Sequence, residues 1–535
     1  MDCTSTNLAY GDTGYFSQVA IDYVSQAGDL HSFYRHPVSL DGIAKAIEDR
    51  KKSPVDRALL VKELTKQYEG IPHSDKVGDN IRLLLNENVF TVCTAHQPAI
   101  FTGNLFFIYK ILHVIKLCAR FRESFPQYDF VPVFYMGCED ADLDELGNIV
   151  LNGERLTWET SQTGAVGRMQ PKGLEKIIER ISGELSVQPF GPALISLLKD
   201  CYDNSPNIQI ATLKLVNRLF EEYGLLALIP DNAALKKPLI PVFEKELFEE
   251  TSSGIVAQTI ERFSKKYKVQ AHPRAINLFY LDDQIRARIE KQDETWTVAG
   301  TDIVFTEAAL RQELEEHPER FSPNVILRGL FQEKILPNIG FVGGGGELAY
   351  WLELKDLFDH YQTPYPVLIL RNSFLVMEEQ WLTKMEALGF GIPCLFKDEQ
   401  TLINELVKRE SSHQLSLITE IQNASLYYEQ LKRIAAQVDP SLTDHISALQ
   451  ARAIKPLQEL EKKLLRAEKR KFETQQRQIQ AMRNTLFPFD GLQERVENIM
   501  PFYARWGQDF IRMIYAESLT LEQEFRVTAI KDREA

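Results

Sequence analysis

Five short apolar runs constrain this chain more than anything else in it. They are VFTVCTA (89–95), FVPVFYMG (130–137), LLALIPD (225–231), NIGFVGG (338–344) and YPVLILRN (365–372). Near-continuous apolar runs of this length suit strands buried on both faces. Helical patterns lie between them: Leu105, Ile108, Ile111, Leu112 and Ile115 fall on one face at helical spacing. Strands alternating with helices predict an α/β fold with a mainly parallel, Rossmann-like sheet. In such sheets a ligand site forms at the carboxyl ends of the strands, where the strand order reverses.

The 535 residues allow two to four domains. Residues 1–154 read as the first part of the core. The span 155–320 reads as insertions, with antiparallel strands at ERLTWE and ETWTVAGTDIVF and a returning core strand near 225–231. Residues 321–385 complete the core, with Ser322 as N-cap and Pro323 at the first position of a helix. From 386 to 535 the texture is helical. Leu417, Ile421, Ala424, Tyr428, Leu431 and Ala435 repeat at spacings of four and three, VDPSL breaks the run, and a second run continues to Leu486. This predicts an antiparallel coiled-coil hairpin folding back at Asp439-Pro440.

A net charge of −14 argues against a duplex nucleic-acid partner, which would show a basic footprint. No run of about 18 apolar residues predicts a membrane span. Six scattered cysteines without a C-x-x-C pair, and a start lacking a basic and an apolar region, read as a reduced, cytoplasmic protein.

Four strand exits carry polar chemistry. TAHQPAIFTGN puts His96 and Gln97 after a strand, then Thr102, Gly103 and Asn104 before a helix. Unpaired N–H groups at a helix start favour phosphate or carboxylate, and Asn104 or Thr102 could cap the helix. His96 is equally readable as a core histidine with both nitrogens satisfied. YMGCEDADLDEL crowds Glu139, Asp140, Asp142, Asp144 and Glu145 together, a cluster that needs cations such as Mg²⁺ or a substrate ammonium, unless it is a solvated loop. Gly343, Gly344, Gly345 and Gly346 suggest an anion-binding glycine nest followed by Glu347 and Tyr350. Arg371 and Asn372 end the last strand, where Arg371 could grip a carboxylate or phosphate. Cys93 and His96 have C-x-x-H spacing, but no further zinc ligands follow, so no metal site is assigned.

These four segments, with RAEKRKFETQQRQIQAMRNTLFPFDGLQERVENIMPFY, resemble the bacillithiol-biosynthesis cysteine-adding enzyme family over nearly the whole chain. The resemblance implies a Rossmann-like core with connective-peptide insertions and a C-terminal coiled coil that aids homodimer formation. It implies a ligase joining cysteine to glucosaminyl malate, the last step to bacillithiol. The resemblance also implies a core related to class I nucleotidyltransferases and aminoacyl-tRNA synthetases, yet the second histidine of their H-x-G-H signature and K-M-S-K-S are missing. Many relatives carry Gly-Gln-Gln where this chain has Ala95-His96-Gln97, so His96 is not an obligatory base of the family. Under this reading Asp140, Asp142 and His96 are the catalytic candidates. Gln97, Glu139, Tyr350, Arg371 and Asn372 would bind substrate. The Thr102–Asn104 turn and Gly343–Gly346 would cradle ATP or another nucleotide with Mg²⁺. The alternative is a non-catalytic, nucleotide-sensing scaffold dimer acting through its coiled coil.

Overall fold

The computed structural model describes residues 1–531. The five apolar runs form the strands Val89–His96, Asp129–Met136, Leu226–Leu228, Asn338–Gly343 and Val367–Leu370. They make one sheet in the spatial order Val367–Leu370, Asn338–Gly343, Val89–His96, Asp129–Met136, Leu226–Leu228. Every pairing is parallel; Cys93, for example, lies between Phe341 and Val133. Counted along the chain the order is 3-2-1-4-5, the doubly wound arrangement. Its switch point falls between Val89–His96 and Asn338–Gly343.

The sheet is apolar on both faces because helices cover both. Helix Phe106–Ser124 follows the central strand, and its expected stripe (Leu105, Ile108, Ile111, Leu112, Ile115) is buried. Val114, Leu117, Cys118 and Phe121 of this helix meet Phe90, Val92 and Phe130 of the sheet, together with Ile43 and Ile47 of helix Leu40–Lys51. Each such aliphatic or aromatic side chain contributes about 1.5–3 kcal/mol on burial.

The interrupting segment carries a hairpin, Asn148–Leu151 with Glu154–Thr157, and a five-stranded antiparallel sheet. That sheet runs Val304–Thr306, Thr295–Val298, Ile285–Gln292, Leu278–Asp282, Phe321–Pro323. The expected helix start at Ser322-Pro323 is therefore two residues early. Pro323 instead ends an edge strand, where a missing N–H is tolerated. Asn324 is the N-cap: its side chain accepts from Ile326 N at 2.9 Å, and the helix is Val325–Ile335.

The chain divides into two compact units, Met1–Leu375 with Gly491–Thr528, and Val376–Asp490 with residues 529–531. Residues 491–528, expected within the helical domain, thus belong to the first unit. The reason is visible in helix Gln508–Glu517 and its flanks. Phe510, Ile511 and Ile514 are buried, and Thr520 O meets His113 Nε2 at 2.8 Å. In the second unit, helices Ile418–Val438 and Leu442–Lys469 form the expected hairpin, turning at Asp439, whose carboxylate accepts from Ser441 N at 2.8 Å. Pro456 lies inside the second helix. Among the described residues no helix is long and apolar enough to cross a membrane.

Candidate active site

The carboxyl ends of the central strands open into a cavity of about 590 Å³ in the first unit. His96 and Gln97 enter it from the end of Val89–His96. Gly344, Gly345, Gly346, Glu347 and Tyr350 come from the exit of Asn338–Gly343, Asp140 and Glu145 from the loop after Asp129–Met136, and Arg371 from the end of Val367–Leu370. All four polar strand exits therefore reach one hollow at the switch point. Arg286, Arg328, Phe106, Asn324 and Arg495, which the sequence reading did not single out, complete its walls.

The acidic loop is divided by what each carboxylate touches. Asp140 accepts from Arg328 at 2.9 and 2.6 Å, with both oxygens engaged, and from Arg286 Nη2 at 3.0 Å. Burial raises its pKa, but the Arg328 and Arg286 charges and a Gln97 hydrogen bond outweigh that and hold the carboxyl below its usual value. A carboxylate locked this way is a poor proton acceptor, so the structure gives Asp140 an organising place, not the catalytic one expected. Glu139 is buried outside the cavity. It pairs with Lys236 and accepts from Ser322 Oγ at 3.0 Å, which removes it as a substrate ligand. Asp142 caps the short helix Leu143–Leu146 from the exposed side and does not line the cavity. Glu145 stands at the cavity's edge, its carboxyl raised by its surroundings and by Asp142 and Asp140.

The turn Thr102-Gly103-Asn104 is also elsewhere. Phe101, Thr102 and Gly103 all have positive φ (50°, 72° and 63°), a costly conformation for the first two. It persists because neighbours over-determine it. Asn498 Nδ2 donates to Phe101 O at 2.9 Å and also to Gly103 O, and Tyr202 Oη accepts from Phe101 N at 2.8 Å. Asn104 caps nothing with its side chain, which donates to Arg495 O at 2.8 Å, while Leu105 N donates to Glu497 O at 2.8 Å. Gly103 and Asn104, with Phe101, brace a C-terminal segment; Thr102 Oγ1 is buried without a partner among the described residues, and none of the three predicted residues lines the cavity.

The glycine run differs from expectation in kind. None of Gly343–Gly346 has positive φ, so it is not a nest of alternating handedness. Gly343 is required for close packing: a Cβ there would lie 2.9 Å from Phe341 and 3.0 Å from Glu347. It does not line the cavity. Gly344 N donates to Glu347 Oε2 at 2.8 Å, so the helix Gly345–Glu353 caps itself. Glu347 in turn holds buried Lys110 at 2.9 and 2.7 Å. The first-turn N–H groups of Gly345 and Gly346 have no partner among the described residues.

Arg371 lines the cavity with its fork already used. It donates to Glu494 Oε1 at 2.7 Å, Asn372 O at 3.0 Å and Ser373 Oγ at 3.0 Å. Asn372 is buried away from the cavity, with its N–H on His113 Nδ1 (3.1 Å) and its amide on Leu519 O (3.1 Å). His96 packs edge-on against Phe106, with ring centroids 5.2 Å apart, and neither ring nitrogen has a hydrogen-bond partner among the described residues. Burial, then Lys110 and Arg371, push its pKa well below 6.5, with Asp140 opposing. The ring is therefore neutral at pH 7, with a free nitrogen lone pair but a basicity that burial and the two cations weaken. Tyr350 is the remaining predicted binder that lines the cavity.

A family model described as "Bacillithiol biosynthesis BshC, N-terminal Rossmann-like domain" matches residues 1–372, and its C-terminal coiled-coil counterpart matches residues 374–530. The chain belongs to the BshC family. Among BshC relatives, a Flavobacterium johnsoniae protein named "Putative cysteine ligase BshC" is 38% identical over 526 residues, covering 98% of this chain and 99% of its own. A Cytophaga hutchinsonii protein of the same name is 39% identical over 500 residues, covering 93% of this chain and 94% of its own. One from Chlorobaculum tepidum is 30% identical over 85% of each chain. Two of the missed residues of this BshC chain did leave a local trace. Lys110 is a charge set among the buried Tyr109, Ile111 and Leu112, and Arg328 follows the Asn324 cap by one turn.

Proposed function

We propose that the chain is a ligase that adds cysteine to glucosaminyl malate, the last step of bacillithiol formation. The reading rests on membership of the BshC family, whose relatives bear cysteine-ligase names. The structural observation that carries it is the division of the cavity into spent and spare groups. Asp140, Arg328, Arg286, Arg371 and Lys110 neutralise one another or pair with Glu494 and Glu347. His96, Glu145, Arg495 and the Gly345 and Gly346 N–H groups remain for a molecule that carries an amine and carboxylates. Amide formation requires the glucosamine nitrogen to attack the cysteine carbonyl carbon, expel a leaving group from it, and release one N–H proton. His96, whose ring nitrogens have no hydrogen-bond partner among the described residues, would take that proton. Glu145 suits an ammonium group.

ATP as co-substrate would activate the cysteine carboxylate as an acyl-adenylate or acyl-phosphate, so that AMP or phosphate is the group expelled by the amine. The spare glycine N–H groups and Arg495 fit its anionic phosphates. Mg²⁺ would enter on the nucleotide, since no three His, Cys, Asp or Glu side chains gather as a metal site among the described residues. The chain would act as a homodimer through the hairpin of the second unit. Helix Ile418–Val438 buries none of its residues and exposes Leu426, Tyr427, Ile434 and Val438. Light scattering at twice the chain mass of 61.4 kDa would agree with that.

Dialysed protein mixed with cysteine, glucosaminyl malate, ATP and Mg²⁺, with thiol labelling of the product, tests the reading. Bacillithiol that requires both protein and ATP is the expected result. ATP binding without product would instead support the nucleotide-sensing scaffold, and product without ATP would point to another activated donor.

A further inference from the structure

Four arginines line the cavity, and only one is unspent. Arg328 and Arg286 close on Asp140, and Arg371 closes on Glu494. Arg495 has no hydrogen-bonded partner for its guanidinium among the described residues; the guanidinium lies over the ring of Phe16, 5.6 Å from the centroid, and feels the charges of Arg371 and Glu494. Its position is nonetheless fixed from behind. The backbone turn Gln493–Arg495 is tied to the sheet by Glu494, which accepts from Arg371 at 2.7 Å and from Phe374 N at 3.2 Å. On the other side, Arg495 O accepts from Asn104 at 2.8 Å, and Glu497 O accepts from Leu105 N at 2.8 Å. A guanidinium without a hydrogen-bonded carboxylate, on a pre-positioned backbone at the cavity wall, suits an anion; partial burial and then Arg371 disfavour its charge, and Glu494 favours it.

We propose that Arg495, delivered to the cavity by the C-terminal return segment, grips an oxyanion of the substrate together with the Gly345 and Gly346 N–H groups. The oxyanion is a carboxylate of the malate group or a phosphate of the nucleotide. This inference rests on the cavity being the ligase site, and it adds the residue that orients the anionic end. The neutral His96 and acidic Glu145 are then left to the amine.

The test is Arg495→Gln and Arg495→Lys in the full-length chain, with separate titrations of glucosaminyl malate and of ATP. Arg495→Gln is expected to raise one of the two KM values by roughly 10–100-fold, the loss of a charge-assisted hydrogen bond, with kcat within about threefold. Arg495→Lys should recover part of that loss. A shift for glucosaminyl malate assigns the carboxylate; a shift for ATP assigns the phosphate. Because the Arg495 side chain makes no hydrogen bond or ion pair among the described residues and lies over the Phe16 ring, the thermal midpoint should move by no more than about a degree or two, which separates binding from folding. Calorimetric binding of free malate and of ADP provides an arm that needs no turnover. If neither probe gives product but one loses affinity in Arg495→Gln, the anion grip stands and the ligase reading falls. If product forms and neither KM moves by more than about twofold, the grip is overturned. Probes that bind wild type and variant equally, or bind neither, overturn it as well.

Discussion

Two turns leave neighbouring strands at the switch point, and they have been put to opposite uses. The turn after Val89–His96 holds Thr, Gly and Asn, the residues that ordinarily announce a binding loop. Its strained backbone is spent on Asn498, Tyr202 and Glu497. The turn after Asn338–Gly343 looks merely permissive, yet it is unstrained and leaves two N–H groups without partners among the described residues, on glycines that line the cavity. Polar turn chemistry thus reports that backbone groups need partners. It does not report whether the partner is a ligand or another stretch of the same chain.

The sharpest way to break this contrast is within the acidic loop, where the same division recurs. Asp140→Asn leaves the guanidinium groups of Arg328 and Arg286 without their buried counter-charge. It should cost about 3–5 kcal/mol of stability in urea unfolding. Asp142→Asn, which replaces one good exposed cap by another, should cost almost nothing. Equal effects from the two substitutions would mean that the loop is one solvated cluster.

A second measurement reads the bracing through pH. His113 lies on the helix that the first turn launches, and joins Asn372 N and Thr520 O. Burial lowers its pKa to about 4 despite the Thr520 hydrogen bond. The unfolded imidazole titrates near 6.5, so between these values the unfolded chain binds the proton and the native chain does not. This contribution is complete above pH 6.5 and is lost as pH falls toward 4, about 3 kcal/mol in all. His113→Gln should flatten that part of the stability profile; an unaltered slope would show that the site is not braced there.

The smallest effects come from the turns themselves. Gly103→Ala places a Cβ 2.8 Å from Ala99 Cβ at φ 63°, and should destabilise by about 1–3 kcal/mol. Gly346→Ala meets nothing within 4 Å and sits in the first turn of a helix, so stability should rise by up to about 1 kcal/mol. Gly346 lines the cavity, so the added methyl group should appear in KM. A Gly346→Ala enzyme with wild-type kinetics would remove the glycine turn from the site.

The fold was legible where local pattern determines it. The five buried strands, the stripe on helix Phe106–Ser124 and the turn at Asp439 each follow from a short stretch whose periodicity or turn chemistry allows few alternatives. The hollow itself was legible too, because polar residues at carboxyl ends of parallel strands converge at a switch point. What could not be read was which of those residues is already answered. Arg371 meets Glu494 across 123 positions, and Asn104 meets Arg495 across 391. No local pattern encodes a partner that far away. The same reason explains Glu139, whose partner Lys236 is 97 residues off, and Ser322, which reads as a helix cap until its pairing with Phe279 is known.

Because residues 491–528 rejoin the first unit after the excursion through 376–490, the cavity wall is assembled from both ends of translation. A ribosome that has finished the last sheet strand has made His96, Asp140 and the glycine turn, but must add more than a hundred further residues before Glu494 can quench Arg371. Until then that guanidinium lacks its hydrogen-bonded carboxylate in the nascent chain, so a message truncated in the helical hairpin would yield a protein with its sheet written and its binding pocket unfinished.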